Sequence, residues 1–288
     1  MQRTILTVLI TGASSGFGKL TASALVADGH RVVAGLRGGA ERLRALFTAD
    51  ELATGRLHGV DLHLDRPETF EEARRLVAEE LEGRLDVLIN NAGYGALGPI
   101  EDKSEAEIRR QMDVTCVGPM LLTNTLLPFL RAARGRILNV TGAVGYVAFP
   151  FYGLYCASKY ALEGYSECLA HDLRPFGVQV GIVEPGGFRT GFTAAAAACT
   201  DAVPEGSPYK ARATAMSTFL RGDATKLNGD PQSVARALVR LCEQRDVPIR
   251  TRVGADAVML STLSRLVPGR AKMWLIGTAM QRTLFRPA

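Results

Sequence analysis

Tyr155 and Lys159 stand four residues apart in a chain of 288 residues, so on a helix they share one face. A phenol near pKa 10 is a poor acid–base group at neutral pH. An ammonium group beside it favours the phenolate and lowers that pKa. Such a pair can give a proton to a carbonyl oxygen as hydride arrives at its carbon, or take one back in reverse. The carrier of that hydride is suggested at the other end of the sequence. Thr11-Gly12-Ala13-Ser14-Ser15-Gly16-Phe17-Gly18 follows the apolar run Ile5–Ile10 directly and opens a helix. Glycines let the backbone turn sharply and approach a pyrophosphate, to which the helix amino terminus offers N–H groups and a positive dipole end. The next apolar run, Val32-Val33-Ala34-Gly35, ends in Leu36-Arg37. No acid is present there to accept from ribose hydroxyls, and a guanidinium stands ready for a 2′-phosphate, which predicts NADP(H) over NAD(H). Asp65 either accepts from the adenine amino group or caps the helix that Pro67 opens.

The elements that must hold these residues read as alternating strands and helices. Thr4–Ile10, Arg31–Gly35, Asp86–Asn90, Gly135–Val140 and Val178–Val183 are expected strands, and a further strand precedes Asp65. Gly18–Asp28, Pro67–Glu82, Glu105–Arg134 and Tyr155–Arg174 are expected helices. The alternation predicts an α/β fold, a Rossmann-type doubly wound parallel sheet, as a single domain over residues 1–288. Residues 190–229, with the run Ala194–Ala198, form an insert after the last clear strand and are expected to be a helical substrate lid. Asn228-Gly229-Asp230-Pro231 then supplies a turn, an Asp N-cap and a proline at the first helical position. Residues 253–288 form a carboxyl-terminal helical extension. Its apolar stretch from Val253 to Met280 is broken by Arg265, Pro268, Arg270 and Lys272. It reads more readily as helices packed on the domain than as a membrane-surface anchor. No run approaches the roughly 20 uninterrupted apolar residues of a spanning helix, so no transmembrane segment is expected.

Composition narrows the class. With 47% hydrophobic and 22% charged residues, the chain is neither disordered nor of low complexity. The net charge of +5 argues against nucleic acid as the main partner. Cys116, Cys156, Cys168, Cys199 and Cys242 include no C-x-x-C pair, and an odd count predicts free thiols in a reducing, cytoplasmic setting. His30, His58, His63 and His171 form no metal-ligand pattern, so no metal is expected.

Thr11-Gly12-x-x-x-Gly16-x-Gly18, Asn90-Asn91-Ala92-Gly93, Tyr155-x-x-x-Lys159 and Pro185-Gly186-Gly187 together resemble the short-chain dehydrogenases/reductases. The turn at Asn228–Pro231 and Pro248-Ile249-Arg250 resemble their retinol and hydroxysteroid dehydrogenase branch. The resemblance implies that Tyr155 is the acid/base and that Lys159 also holds the nicotinamide ribose. It implies a cofactor site of Gly12, Ser14, Ser15, Gly16, Phe17, Gly18, Arg37, Asp65, Asn91, Ala92, Gly93, Pro185, Gly186 and Thr190, completed by Tyr155 and Lys159. It also implies a homodimer or homotetramer built on the long helices.

Two positions depart from the family pattern. Counting back from Tyr155 puts the expected serine at Gly142, or with a one-residue slip at Ala143. Thr115 stands where an asparagine is expected. Losing one donor to the developing oxyanion typically costs about 100- to 1000-fold in rate. Thr141, Tyr146 or Tyr152 could donate instead, or the substrate could carry its own activation. Pro119 cannot donate to the carbonyl of Thr115 and pushes it aside, so a kink is expected there, with the freed carbonyl holding a water. Tyr94, Leu97, Phe149, Phe151, Tyr152, Phe188 and Phe192 flank the motifs and suggest a hydrophobic carbonyl or alcohol as substrate. Three readings stay open: a carbonyl–alcohol oxidoreductase, an enzyme using Tyr155 for isomerisation, dehydration or cyclisation, and a nucleotide-binding module without catalysis.

Overall fold

Strands β1 (Thr7–Thr11), β2 (Arg31–Leu36), β3 (Leu57–Asp61), β4 (Val87–Asn90), β5 (Arg136–Val140), β6 (Gln179–Pro185) and β7 (Arg250–Val253) form one sheet. All pairings are parallel, in the order β3-β2-β1-β4-β5-β6-β7. The computed structural model describes residues 4–188, 190–222 and 229–284. The central strands are buried on both faces because alternate side chains enter two cores. Val8, Ile10 and Ala34 pack on one side with Leu238, while Leu9, Val33 and Leu88 pack on the other with Leu122 and Leu126. Each such aliphatic side chain contributes roughly 1.5–3 kcal/mol on burial.

The connecting helices are α1 (Gly16–Ala27), α2 (Gly39–Leu46), the short α3 (Ala49–Ala53), α4 (Phe70–Arg75), α5 (Glu105–Met112), α6 (Gly118–Ala132), α7 (Gly153–Leu173), α8 (Gly191–Asp201), α9 (Lys210–Arg221), α10 (Gln232–Glu243), α11 (Ala255–Leu266) and α12 (Gly269–Leu284). The expected helix Glu105–Arg134 is broken by a π-helical turn at Asp113–Val117, ahead of Pro119. By length and composition alone, Glu105–Ala132 is apolar enough to cross a membrane. Leu122, Leu126 and Leu130 are nevertheless wholly buried in the core, where a helix flanking a sheet must be apolar.

Edge strand β7 is not among the expected strands, because its arginines disguise it. Arg250 reaches Glu163, Glu167 and Glu184, and Arg252 pairs with Glu184. Asp230 accepts from Gln232 N at 3.0 Å, but Pro231 rather than Asp230 stands at the N-cap of α10, one residue later than expected. Asn228, with residues 223–227 of the insert, lies outside the described residues. Helices α8 and α9 pack through Ala196, Ala197, Met216 and Leu220 in a cluster separate from the two main cores. The expected packing of the carboxyl-terminal extension holds for α11, where Ala257 and Ser261 are buried. Helix α12 packs more loosely, through the half-buried Met280 on the α8–α9 cluster, and none of its described side chains is fully buried.

Candidate active site

The sheet order reverses between β1 and β4, and the two strand ends meet there. Gly12 (φ 70°) and Gly16 (φ 52°) take left-handed backbone that other residues disfavour. A Cβ on Gly12 would lie 2.8 Å from Ala92 Cα, and one on Gly18 would lie 2.3 Å from the Gly12 carbonyl oxygen. Only glycine lets α1 begin so close to the strand. Thr11 Oγ1 accepts from the backbone N–H groups of Asn91 (3.0 Å) and Ala92 (2.9 Å). The Asn91 amide donates to the Thr11 carbonyl at 2.9 Å. The two motifs are thus tied into one cradle at the amino terminus of α1, a shape that suits a dinucleotide pyrophosphate.

From this cradle a cavity of about 920 Å³ runs to the carboxyl-terminal helices. Every expected cofactor residue lines it except Gly18, which lies behind the loop. Arg37 is exposed at its rim, and its guanidinium has no partner among the described residues. Asp65 also lines it, but its carboxylate is paired with Arg110 at 3.3 Å, and it caps no helix. Thr190 caps α8, accepting from Phe192 N at 3.3 Å.

On α7, Tyr155, Lys159 and Glu163 follow one another at single-turn spacing. Lys159 Nζ donates to the Val140 carbonyl at 2.7 Å and lies 6.0 Å from the Tyr155 ring centroid. Burial lowers the lysine to about 8. Burial pushes the phenol above its ordinary value, and the amine is turned toward the backbone. Thr115 sits in the π-helical turn beneath Lys159 and accepts from Gln111 Nε2 at 2.9 Å. Gln111, fully buried, also donates to the Tyr94 carbonyl and Ser158 Oγ and accepts from Ala96 N. Where a kink is expected from Pro119, the chain makes this π-helical turn, with Gly118 N–H reaching back to the Asp113 carbonyl.

Of the three hydroxyls considered as substitutes at Gly142, two are committed elsewhere. Thr141 borders the cavity, but its Oγ1 donates to Glu163 Oε1 at 2.5 Å. Tyr146 lies off the cavity and donates to the Ala257 carbonyl at 2.8 Å, which corrects its expected place beside substrate. Tyr152 lines the cavity, and its hydroxyl has no partner among the described residues. Burial pushes that phenol up to about 12, so it remains a neutral donor at physiological pH. The preceding residue, Phe151, is held at φ 70° while its carbonyl accepts from Gly98 N at 2.8 Å. That strained turn sets Tyr152 at the start of α7. Gly142 itself has φ 92°, a conformation that a serine would strain.

Phe149, Phe188 and Phe192 line the cavity as expected, with Phe192 5.1 Å from the Tyr155 ring centroid. Leu97 and Phe151 do not; they pack in the cluster of α8 and α9. The sequence reading missed Met216, Phe219, Leu260 and Met280, which close the apolar end, and Asp256, whose carboxylate accepts from Gly187 N at 2.6 Å. It also missed Gln111 and Glu163, although each stands one helical turn from a residue already singled out.

Residues 6–201 match the profile of a family described as short chain dehydrogenase. The chain is 33% identical to the 3-ketodihydrosphingosine reductase of Bacteroides thetaiotaomicron, over 96% of each protein. It is 34% identical to retinol dehydrogenase 5 of Mus musculus, over 98% of this chain and 89% of that one. A short-chain dehydrogenase from Streptomyces avermitilis superposes with a TM-score of 0.77 at 31% identity, covering 99% of this chain and 100% of the other.

Proposed function

Since the chain belongs to the short chain dehydrogenase family, we propose that it is an NADP(H)-dependent oxidoreductase interconverting a hydrophobic ketone or aldehyde and its alcohol. The observation that carries this reading is the alignment of Tyr155 and Lys159 along α7, at the end of a cavity that begins in the glycine cradle. When bound, the nicotinamide cofactor supplies hydride and, once oxidised, a positive charge. Arg37 holds the 2′-phosphate, and the N–H groups at the start of α1 hold the pyrophosphate. In the reductive direction the Tyr155 phenol gives its proton to the carbonyl oxygen as the carbon accepts hydride, and in the oxidative direction it takes that proton back. Lys159 binds the ribose, and its charge steadies the phenolate. Thr115, fixed by Gln111, closes the floor beneath it.

Tyr152 takes the place of the serine that Gly142 lacks. It is the one candidate hydroxyl left free to face the cavity, and as a neutral phenol it donates to the developing oxyanion. The aromatic and aliphatic walls suit a lipid-like substrate, as do the substrates named for the two relatives. Helices α8 and α9 serve as a cover over that end. Exposed Val117, Leu121 and Tyr160, on the π-helical turn, α6 and α7, offer a surface for a dimer or tetramer. A non-redox role for Tyr155 draws its support from Gly142. The test is oxidation of NADPH and of NADH with a panel of hydrophobic ketones. The reading expects turnover with NADPH, and Arg37→Asp should remove the preference for it. Steady binding of NADPH without reduction of any ketone would favour the non-redox role.

A further inference from the structure

Helix α12 has sixteen residues and fully buries none of its described side chains. It is held through Met280, which packs against the α8–α9 cluster, and through Lys272, which bonds to Ser264 of α11. Its exposed face is apolar: Met273 and Trp274 are 63% and 67% exposed. On α11 and its end, Met259 (63%) and Leu266 (77%) continue the same character. The charge of this region is one-sided. From Ala257 to Ala288 the sequence contains Arg265, Arg270, Lys272, Arg282 and Arg286 and no acidic residue. These five cations equal the net charge of +5, so the rest of the chain balances its acids and bases.

We infer that α11 and α12 form a docking face for an anionic lipid bilayer surface. Exposed apolar side chains among cations, with Asp256 the one acid of the pair and that one engaged by the Gly187 amide, are the composition of helices that lie in a headgroup layer. A second copy of the chain placed on this face would bring the same cations against themselves, which disfavours it. The location adds a reason for the docking. Leu260 of α11 and Met280 of α12 line the apolar end of the cavity, so the docking face adjoins the place where a lipid-like molecule would enter.

Trp274 is the chain's only tryptophan, so its emission reports on this face alone. The experiment titrates the full-length protein with vesicles of phosphatidylcholine and with vesicles containing about one-third phosphatidylglycerol. Emission and co-sedimentation are followed. The expected result is a blue shift and sedimentation with the anionic vesicles, weakened by salt. The double variant Arg270→Glu/Lys272→Glu should lower the partition by about tenfold or more while leaving NADPH binding unchanged. Lys272 Nζ donates to Ser264 Oγ at 3.1 Å, a bond within the helix pair that lies apart from the cofactor cradle. Unchanged emission with no sedimentation would overturn the inference. So would emission already blue-shifted in buffer together with a doubled mass that Trp274→Ala halves, since a second copy would then cover the face. None of these readouts uses turnover, so they stand or fall apart from the proposed reaction.

Discussion

The two walls of the cleft are made of different material. On the amino-terminal side, the lining is backbone: glycines at positive φ, the first turn of α1, and a threonine that gathers two N–H groups. On the carboxyl-terminal side it is side chain: a phenol and an amine along α7, faced by aromatic rings and methionines. Backbone can recognise a pyrophosphate without reference to what is reduced. Side chains set both the chemistry and the shape of the substrate. The first wall therefore tolerates little substitution at its glycines, and the second can change its substrate without disturbing the first.

The largest separation between the walls should come from Tyr155→Phe. Loss of the acid–base group costs about 100- to 10,000-fold in kcat, with the Kd for NADPH unchanged. A matching loss of cofactor affinity would break the distinction. Arg250→Met acts beneath the chemical wall. It leaves Glu163 and Glu184, whose side chains are 7% and 0% exposed, without their shared cation, a buried arrangement that should cost about 3–5 kcal/mol in urea unfolding. Tyr152→Phe should lower kcat by roughly 100-fold if its hydroxyl meets the oxyanion, and Gly142→Ser should not restore the rate, because φ 92° misdirects the new side chain. A full recovery on adding that serine would instead mark the native site as simply impaired.

The smallest effect is a matter of sign. Lys159 falls from an ordinary 10.5 to about 8 on folding, so between those values the unfolded chain binds more protons than the folded one. This group's contribution to stability should therefore rise from pH 8 to pH 10.5. Turnover needs the ammonium and should fall over the same interval. Parallel urea titrations and initial rates should show the opposite trends, and parallel trends would remove Lys159 from the mechanism.

The contrast between the walls also explains what the sequence disclosed. Glycine spacing, Arg37 and the Tyr155–Lys159 pair are local patterns, and each names its own chemistry. Pro119 likewise marked an irregularity in its own helix, though not its π-helical form. Strand β7 was not, because Arg250 and Arg252 look unlike a sheet residue until Glu163 and Glu184 are brought beside them from α7 and β6. Tyr146 was misplaced because nothing local announces that its hydroxyl meets Ala257, far along the chain. Met280 and Asp256 were invisible as site residues because only the tertiary path of the last helices carries them to the cleft.

Asp256 carries a final implication. Its carboxylate, in the first turn of α11, is hydrogen-bonded to the Gly187 amide in the turn that follows β6. A Cβ on Gly186 would lie 2.0 Å from that carboxylate, so the two segments interlock. The tail of the chain is thus a latch on the turn after β6 at the edge of the cleft, and whatever pulls on the tail is felt there first.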